Sequence, residues 1–296
     1  LSIFQSHFYL KVYSLPVANF SAPDVCFGEQ VLFSNNSSPN TVDWIYDFAD
    51  GIGFSSYQNP TYIYTNPGAY NVTLNVTSDN GCEDSIIKTI IVHELPIADF
   101  NIENNCDGEG NIFTDLSSVI NGEIALVQYN FNNGSTSSDS IVSYVFDGYG
   151  LFDVELTAIT TEGCESTISK ITEVFANPVV DFTVLGFCEG EQTNLNNFSF
   201  VANSNISNWN WTFGLEGFSF EKNTSHIFST SGVNNINLSV TSDMGCRSEL
   251  NKKIEIYKLP IANFEIHPNV CLGDKVEIYD LSDDNGTNIV EWSYNF

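Results

Sequence analysis

The chain has 296 residues and a formal net charge of -28 at pH 7, with only 9 lysine and arginine residues. This charge argues against a nucleic-acid-binding protein and against binding to an anionic membrane surface. The sequence contains no run of about 18 apolar residues, so it predicts no transmembrane segment, and its length alone suggests two or three domains.

Four related segments divide the chain into units. They are LPVANF (15–20), LPIADF (95–100), NPVVDF (177–182) and LPIANF (259–264), and they recur at nearly equal intervals. A period of about 80 residues of this kind indicates serial modules. We therefore predict the tail of a preceding repeat at 1–14, complete repeats at 15–94, 95–176 and 177–258, and the start of a truncated repeat at 259–296. Both ends are expected to be edges of a piece of a longer protein.

Alternating apolar residues predict β-strands within each repeat. The first repeat has candidate strands at 30–35, 69–78 and 84–94, and the alternation of 69–78 recurs at 152–158 and 236–240. Asn-Gly and Asp-Gly pairs between such runs are hairpin signals. About seven short strands per repeat, with no amphipathic helix, predict an all-β array of two-sheet sandwiches. The short links around their prolines predict a stiff rod.

Each complete repeat contains two cysteines, and the interval between them is nearly the same in all three repeats. The cysteines therefore form a near-regular ladder. We predict one disulfide inside each repeat, contributing roughly 4 kcal/mol in the chain-entropy model, and an oxidising, extracellular location. The alternative is a set of reduced core cysteines in a cytosolic protein. The predicted pairs are Cys26 with Cys82, Cys106 with Cys164 and Cys188 with Cys246, leaving Cys271 unpaired by truncation.

Three motifs of the first repeat resemble the PKD (polycystic kidney disease) domain family. They are YDFADG (46–51), NPTYIY (59–64) and GAYNVTL (68–74). The third repeat keeps them loosely, with His226 at the family's histidine position, and the second repeat is the most divergent. The resemblance implies a seven-stranded, immunoglobulin-like sandwich that has a binding or structural role.

The cysteine-bearing form is similar to tandem PKD-like repeats in very large secreted or surface proteins of Bacteroidota, which the type IX secretion system often exports. That resemblance implies an adhesin or appendage protein at the cell surface. It implies as partners other copies of the chain, other surface or appendage proteins, or surface glycans, and no nucleic acid.

Residue patterns for catalysis are lacking. The sequence has four histidines and no glycine-rich phosphate loop, so we predict a protein that is not an enzyme and needs no cofactor. One calcium candidate remains, since Asp280, Asp284 and Glu291 fit positions 1, 5 and 12 of a calcium loop. The alternative is a solvated loop, because Asn285 stands where that loop needs glycine.

Three tryptophans lie two residues before the aromatic residue of the signature and are Trp44, Trp209 and Trp292. Residues two apart on a strand face the same side, so we predict a role in the core. A carbohydrate-stacking platform is the alternative, and exposed rings would favour it.

The sequence thus predicts a non-catalytic extracellular region that acts as a stiff stalk or filament segment. Two alternatives remain open: modules that bind glycans or proteins directly, and accessory modules of a secreted hydrolase.

Overall fold

The structure is a computed structural model that describes residues 10–266 and 269–295. Within these residues the chain forms β-strands and loops and no helix. Most of the predicted tail at 1–14 and the last residue of the truncated repeat, Phe296, lie outside the described part. Among the described residues no helix is long and apolar enough to span a membrane. The labels repeat one to repeat four keep the predicted limits.

The chain is divided into two compact units. Among the described residues, the first unit contains 10–102 together with Phe113–Val142 and Asp153–Ile171. The second contains Glu103–Ile112, Ser143–Phe152 and the residues from Thr172 onward. Repeat one therefore lies in the first unit, repeat three lies in the second, and repeat two contributes residues to both.

The strands recur with the period of the sequence. Repeat one contains β1 (Phe20–Ser21), β2 (Val25–Cys26), β3 (Val31–Leu32), β4 (Ser34–Asn35), β5 (Thr41–Asp47), β6 (Phe54–Ser55), β7 (Thr61–Tyr62), β8 (Gly68–Ser78) and β9 (Glu83–His93). Repeat two contains β10 (Phe100–Glu103), β11 (Asn111–Asp115), β12 (Ile124–Asn130), β13 (Thr136–Ser137), β14 (Ile141–Tyr144), β15 (Gly150–Thr160) and β16 (Glu165–Val174). Repeat three contains β17 (Phe182–Leu185), β18 (Gln192–Asn197), β19 (Ile206–Thr212), β20 (Phe218–Ser219), β21 (Thr224–Ile227), β22 (Gly232–Ser242) and β23 (Arg247–Ile256). Repeat four contributes β24 (Phe264–Ile266) and β25 (Ile278–Asp280).

Each complete repeat is a sandwich of a larger and a smaller layer. The larger sheets have the orders β2-β9-β8-β5-β6, β13-β12-β15-β16 and β20-β19-β22-β23. The smaller layers are β10-β11-β14 and β17-β18-β21, and in repeat one two pairs, β1-β4 and β3-β7. Neighbouring strands run antiparallel, with β2 and β9 as the parallel exception among the paired strands. The all-β, tandem immunoglobulin-like fold expected from the sequence is confirmed.

Alternation along β8 explains which face of the larger sheet of repeat one is buried. Val72, Leu74 and Val76 are at most 1% exposed, whereas Asn71 and Asn75 between them face solvent. Strand residues alternate between faces, so one side of β8 meets the opposite layer and the other meets water. Leu74 lies opposite Tyr46 of β5 in the register, which places the signature aromatic residue in the core.

Aromatic rings fill the centre of each sandwich. In repeat three Trp211 is fully buried, its ring lies edge-on to Phe182 at 5.1 Å, and its Nε1 donates a hydrogen bond to the Glu221 carbonyl oxygen at 2.9 Å. In repeat one Tyr46 has the equivalent place, and burial raises its pKa to about 12. Such rings provide much of the buried apolar area of a small domain.

In repeats one and three the tryptophan that precedes the signature aromatic residue packs inward. Trp44 and Trp209 are partly buried and pack against the cores of repeats one and three, as predicted. Trp292, in repeat four, is 50% exposed, and its Nε1 donates to an Asp280 oxygen at 2.8 Å. In the complete repeats this position therefore supports the core and not an open aromatic platform.

Candidate functional site at the repeat junctions

The first cysteine of a repeat is held beside the end of the repeat's last strand. Cys26 lies in β2 opposite His93, the last residue of β9, and the Phe27 amide donates to the His93 carbonyl oxygen at 2.8 Å. A turn follows in which the Glu29 amide donates to the Cys26 carbonyl oxygen at 3.0 Å. Gly28 in this turn has a φ of 90°, a left-handed conformation that glycine adopts without strain.

The second cysteine ends the hairpin turn between the two longest strands of the larger sheet. The Cys164 amide donates to Thr160 Oγ1 at 3.2 Å, and the Thr160 amide donates to the Cys164 carbonyl oxygen at 2.9 Å. Gly163 has a φ of 87°, which the turn requires. Cys164 and its equivalent in repeat three, Cys246, are each 1% exposed.

Disulfides join consecutive repeats. Cys26 of repeat one is bonded to Cys164 of repeat two with a Cα–Cα distance of 5.5 Å, and both residues lie in the first compact unit. Cys106 of repeat two is bonded to Cys246 of repeat three at 5.6 Å, and both lie in the second unit. The bonds span 138 and 140 residues of sequence. Cys82, Cys188 and Cys271 have no disulfide partner among the described residues.

This pairing corrects the sequence prediction. The two disulfides agree with about one per domain, but pairing Cys26 with Cys82 inside repeat one is wrong, as is pairing Cys106 with Cys164. The reason in repeat one is strand length. Cys82 precedes β9 and Cys26 lies beside its far end, so at about 3.3 Å per residue they are about 35 Å apart. A disulfide needs Cα atoms within about 7 Å.

The same reasoning applies to repeat three. Cys188 lies opposite Tyr257, just beyond the end of β23, whereas Cys246 immediately precedes that strand. A bond between these two cysteines would again have to cross the length of a ten-residue strand. The sequence interval between cysteines is therefore a correct sign of a repeat and an incorrect guide to partners.

Polar contacts support the junctions beside the disulfides. Where repeat one meets repeat two, Asn121 Nδ2 donates to a Glu94 carboxylate oxygen at 2.9 Å. After repeat two, Asn177 Nδ2 donates to the Asp107 carbonyl oxygen at 2.7 Å. The link prolines Pro96 and Pro178 are buried, whereas Leu95 beside Pro96 is 40% exposed.

A lysine clasp recurs in every complete repeat, and the sequence analysis missed it. Lys88 donates to the Phe20 carbonyl oxygen and to Asn19 Oδ1, the latter at 2.8 Å, with its Nζ 5.4 Å from the Phe20 ring centre. The matching lysines, Lys170 and Lys252, use Asp99 and Asp181 in place of Asn19 and lie 4.9 and 4.5 Å from their Phe rings. The equal spacing of these three lysines, in a chain with few basic residues, is the signal that could have found the clasp.

The acidic clasps predict a pH dependence. A hydrogen bond from Lys170 lowers the pKa of Asp99 below its ordinary value, and one from Lys252 does the same for Asp181. Because the folded pKa is the lower one, the stabilisation is fully present above the unfolded value of about 3.9 and is lost as the pH falls through the folded pKa. The double variant D99N/D181N is expected to melt lower than the wild type at pH 7. That difference should shrink below about pH 4.

Melting temperatures measured from pH 7 down to about pH 3 would check this. Asp153→Asn, at an exposed position of β15, is the matched control and should show no such convergence. A constant difference between D99N/D181N and the wild type across the whole range would contradict the prediction.

The signature turn positions carboxylates as structural acceptors. In repeat one Asp47 Oδ1 accepts from the Ala49 amide at 2.9 Å, and Asp50 Oδ1 accepts from the Gly53 amide at 2.7 Å. Tyr62 donates its hydroxyl to Asp50 and stacks on Phe48 with ring centres 4.1 Å apart. These aspartates hold the turn after β5.

His226 takes the place of Tyr62 in repeat three. Its ring stacks on Phe213 at 4.2 Å, and its Nε2 lies 3.5 Å from a Glu216 oxygen. Glu216 also accepts from the Ser229 amide at 2.9 Å, and this bond, with help from His226, lowers its pKa below the ordinary value. The histidine is therefore part of the packed turn.

The calcium candidates do not converge. Asp280 Oδ1 accepts from the Ser282 amide at 3.0 Å, and Asp284 Oδ1 accepts from the Gly286 amide at 2.9 Å, so each carboxylate holds its own turn. Glu291 is exposed. In the described part of the chain no group of three or more His, Cys, Asp or Glu residues is placed to hold a metal ion.

A cavity of about 410 Å³ in repeat four is not a separate site. Its lining includes Phe264, Trp292 and Tyr294. By their position in the repeat, Phe264 and Tyr294 match Phe182 and Trp211, which form the closed core of repeat three. The cavity is the core face of the two-stranded repeat four.

Comparison with known proteins identifies the module. A family model described as PKD domain matches residues 13–92 and 175–256, which together make up more than half of the chain. The matches coincide closely with repeats one and three and leave out repeat two, the most divergent one.

A curated relative and two solved structures are also similar. The pre-pro-metalloprotease PrtV of Vibrio cholerae serotype O1 is 32% identical over 160 residues, which is 52% of this chain and 17% of the relative. The chain thus spans about a sixth of that protein. The PKD1 domain of Vibrio anguillarum Epp is 27% identical, covering 28% of this chain and 95% of that domain, with a TM-score of 0.26. The PKD1 domain of Vibrio cholerae PrtV is 26% identical, covering 27% and 96%, with a TM-score of 0.25.

Proposed function

The chain belongs to the PKD domain family, and on that basis we propose that it is a non-catalytic, tension-bearing spacer of an extracellular protein. The observation that carries this proposal is the overlap of the two disulfides. The loop closed by Cys26–Cys164 and the loop closed by Cys106–Cys246 share residues 106–164. Disulfides persist in oxidising compartments, which supports a secreted location.

The overlap creates two independent covalent routes through the array. One route follows the backbone from Cys26 to Cys106 and crosses to Cys246 by the second disulfide. The other crosses from Cys26 to Cys164 by the first disulfide and follows the backbone to Cys246. Any single break between Cys26 and Cys246 therefore leaves the chain joined, a property useful to a spacer that carries tension and meets proteases.

The overlap also limits extension. When every repeat between Cys26 and Cys246 unfolds, the shortest covalent path crosses the first disulfide to Cys164, follows the backbone back to Cys106 and crosses the second disulfide to Cys246. The length of the stretched protein is therefore set by the segment from Cys106 to Cys164. The reduced chain instead extends along the whole segment from Cys26 to Cys246. At about 3.3–3.6 Å per residue these paths are roughly 200 Å and roughly 750 Å long. Pulling the chain by its ends in a single-molecule force experiment should show about this difference before and after reduction.

A matched pair of variants tests the origin of the difference. C26S/C106S should give the long extension without reductant, and Cys82→Ser, which removes a cysteine unpaired in the structure, should leave the short one. The proposal fails if the oxidised wild type extends as far as the reduced chain.

The resemblance of the chain to cysteine-bearing repeats of Bacteroidota supports a finer proposal. We propose a stalk or filament segment of a very large surface protein exported by type IX secretion. Other copies of the chain, other appendage proteins or surface glycans would be its partners. The inward packing of Trp44 and Trp209 favours the structural role over direct glycan binding. Electron microscopy of the native protein tests this, since a filament or surface rod supports a stalk.

A second candidate is an accessory region of a secreted hydrolase. The similarity to pre-pro-metalloprotease PrtV over 160 residues supports it. Sequencing the full reading frame that encodes this chain distinguishes the two, because only the accessory role requires a catalytic domain in the same protein.

A further inference from the structure

Two cysteines of the complete repeats, Cys82 and Cys188, have no disulfide partner among the described residues. Each occupies the ladder position that is bonded in other repeats. The formed bonds follow one rule: the first cysteine of a repeat pairs with the hairpin cysteine of the next repeat. By this rule Cys188 requires a hairpin cysteine from a following repeat, and Cys82 requires a first cysteine from a preceding one.

Cys188 is held as its bonded equivalents are. It lies opposite Tyr257 in a parallel bridge, as Cys106 lies opposite Phe175. The amide after Cys188 donates to the Tyr257 carbonyl oxygen at 2.8 Å, the same distance as from Asp107 to Phe175. Like Cys26 and Cys106, Cys188 is half-buried. Its backbone pairing is therefore the same as that of the bonded Cys106.

Cys82 is held in the same hairpin as Cys246. Its amide donates to Ser78 Oγ at 3.1 Å, and the Cys246 amide donates to Ser242 Oγ at 3.1 Å. The difference lies in burial, since Cys164 and Cys246 are each 1% exposed whereas Cys82 is only half-buried. The two hairpin cysteines that are bonded to a preceding repeat are thus closed off from solvent, and the one without such a bond is open.

We infer that Cys82 and Cys188 are the connecting ends of a continuing disulfide ladder, and that each bonds a cysteine of a further repeat of this same type. Cys188 takes a hairpin Gly-Cys cysteine, and Cys82 takes a Cys-x-Gly cysteine. The further repeat belongs to the same polypeptide or to a second copy, since the chemistry is identical. This inference rests on the pairing of the cysteines in the two disulfides, and its test does not depend on the tension-bearing function.

The bond forms by thiol–disulfide exchange with an external disulfide oxidant, either oxidised glutathione or a protein disulfide. The Cys188 thiolate attacks one oxidant sulfur and releases the other as a thiolate, giving a mixed disulfide. The partner thiolate then attacks the Cys188 sulfur and releases the second oxidant thiolate. In total two cysteine thiols lose two protons and two electrons, and the oxidant disulfide becomes two thiols.

The test is disulfide mapping of the native, full-length protein that contains this chain. Free thiols are blocked with N-ethylmaleimide before cell disruption, and the unreduced protein is digested with pepsin and analysed by mass spectrometry. We expect that N-ethylmaleimide alkylates neither Cys82 nor Cys188. Cys188 should be cross-linked to a Gly-Cys peptide and Cys82 to a Cys-x-Gly peptide, each from a repeat of this type.

The source of the partner is read from the mass of the unreduced, denatured protein. A single-chain mass places the partner repeat in the same polypeptide, and a multiple of that mass places it in a second copy. Cys188→Ser in the full-length protein should leave one Gly-Cys cysteine open to alkylation while the Cys26–Cys164 bond persists, which a merely unfolded variant would not show. Alkylation of Cys82 and Cys188 in the wild type, or bonds from them to glutathione, to each other within one chain or to non-repeat cysteines, would overturn the inference.

Discussion

A single backbone cut between repeats one and two is expected to leave residues 1–94 and 95–296 in one covalent piece until a reductant is added. The reason is that Cys26 and Cys164 lie on opposite sides of the cut and are bonded to each other. Disulfides inside each repeat would give the opposite result, because no bond would cross the cut. The effect is all-or-none and so separates the two pairings more sharply than stability can.

Stability is a weaker discriminator for a physical reason. In the chain-entropy model a loop of 138 residues contributes about 5 kcal/mol, compared with about 4 kcal/mol for one of about 57 residues. A difference of this size is comparable with the strain terms that the model omits. The position of the bond relative to a cut depends on no such terms.

The cut is made by inserting a specific protease site between Glu94 and Leu95, since Leu95 is 40% exposed. The product is analysed on denaturing gels with and without reductant. Cys26→Ser should separate into two pieces without reductant. Cys82→Ser is the matched control, because it removes the other cysteine of the same repeat, and it should stay joined. Separation of the unreduced, cut wild type would refute the pairing.

Trp211→Ala is expected to destabilise repeat three by about 3–5 kcal/mol, the cost of emptying a large aromatic site in a core. Trp211 is fully buried, it contacts Phe182, and its Nε1 satisfies the Glu221 carbonyl oxygen. Since a domain of this size has only about 5–15 kcal/mol of stability, the loss takes a large part of the total.

Because several domains share the chain, this effect is best measured repeat by repeat through native-state hydrogen exchange. Amides of β22 should lose about 100-fold or more in protection, while those of β8 in repeat one stay unchanged. Trp211→Phe is the matched control, since it keeps a ring in the core while it removes the Nε1 hydrogen bond and part of the buried ring, and it should cost less than Trp211→Ala. Equal losses in repeats one and three would show that the repeats do not unfold separately.

The local pattern of the sequence was sufficient for the strands and the core. The apolar alternation of 69–78 reappears as β8, with Val72, Leu74 and Val76 buried, because side-chain direction in a strand depends only on position along it. The packing of Trp44 and Trp209 followed from the same period-two rule. The lysine clasp joins residues 69 to 71 positions apart, so the sequence shows only the regular spacing of its lysines and not their partners. A lone lysine in a strand is ordinarily a solvated residue.

The sequence by itself determined the repeat, the all-β sandwich and the presence of paired cysteines, because periodicity and alternation are properties of neighbouring residues. Only the tertiary structure decided which cysteines meet. Cys26 is carried to one end of repeat one by its parallel pairing with β9, and Cys82 remains at the other end of that strand. Closeness along the chain was a poor guide because an eleven-residue strand is a rigid spacer, and it leaves Cys26 within bonding distance of Cys164 in the next repeat.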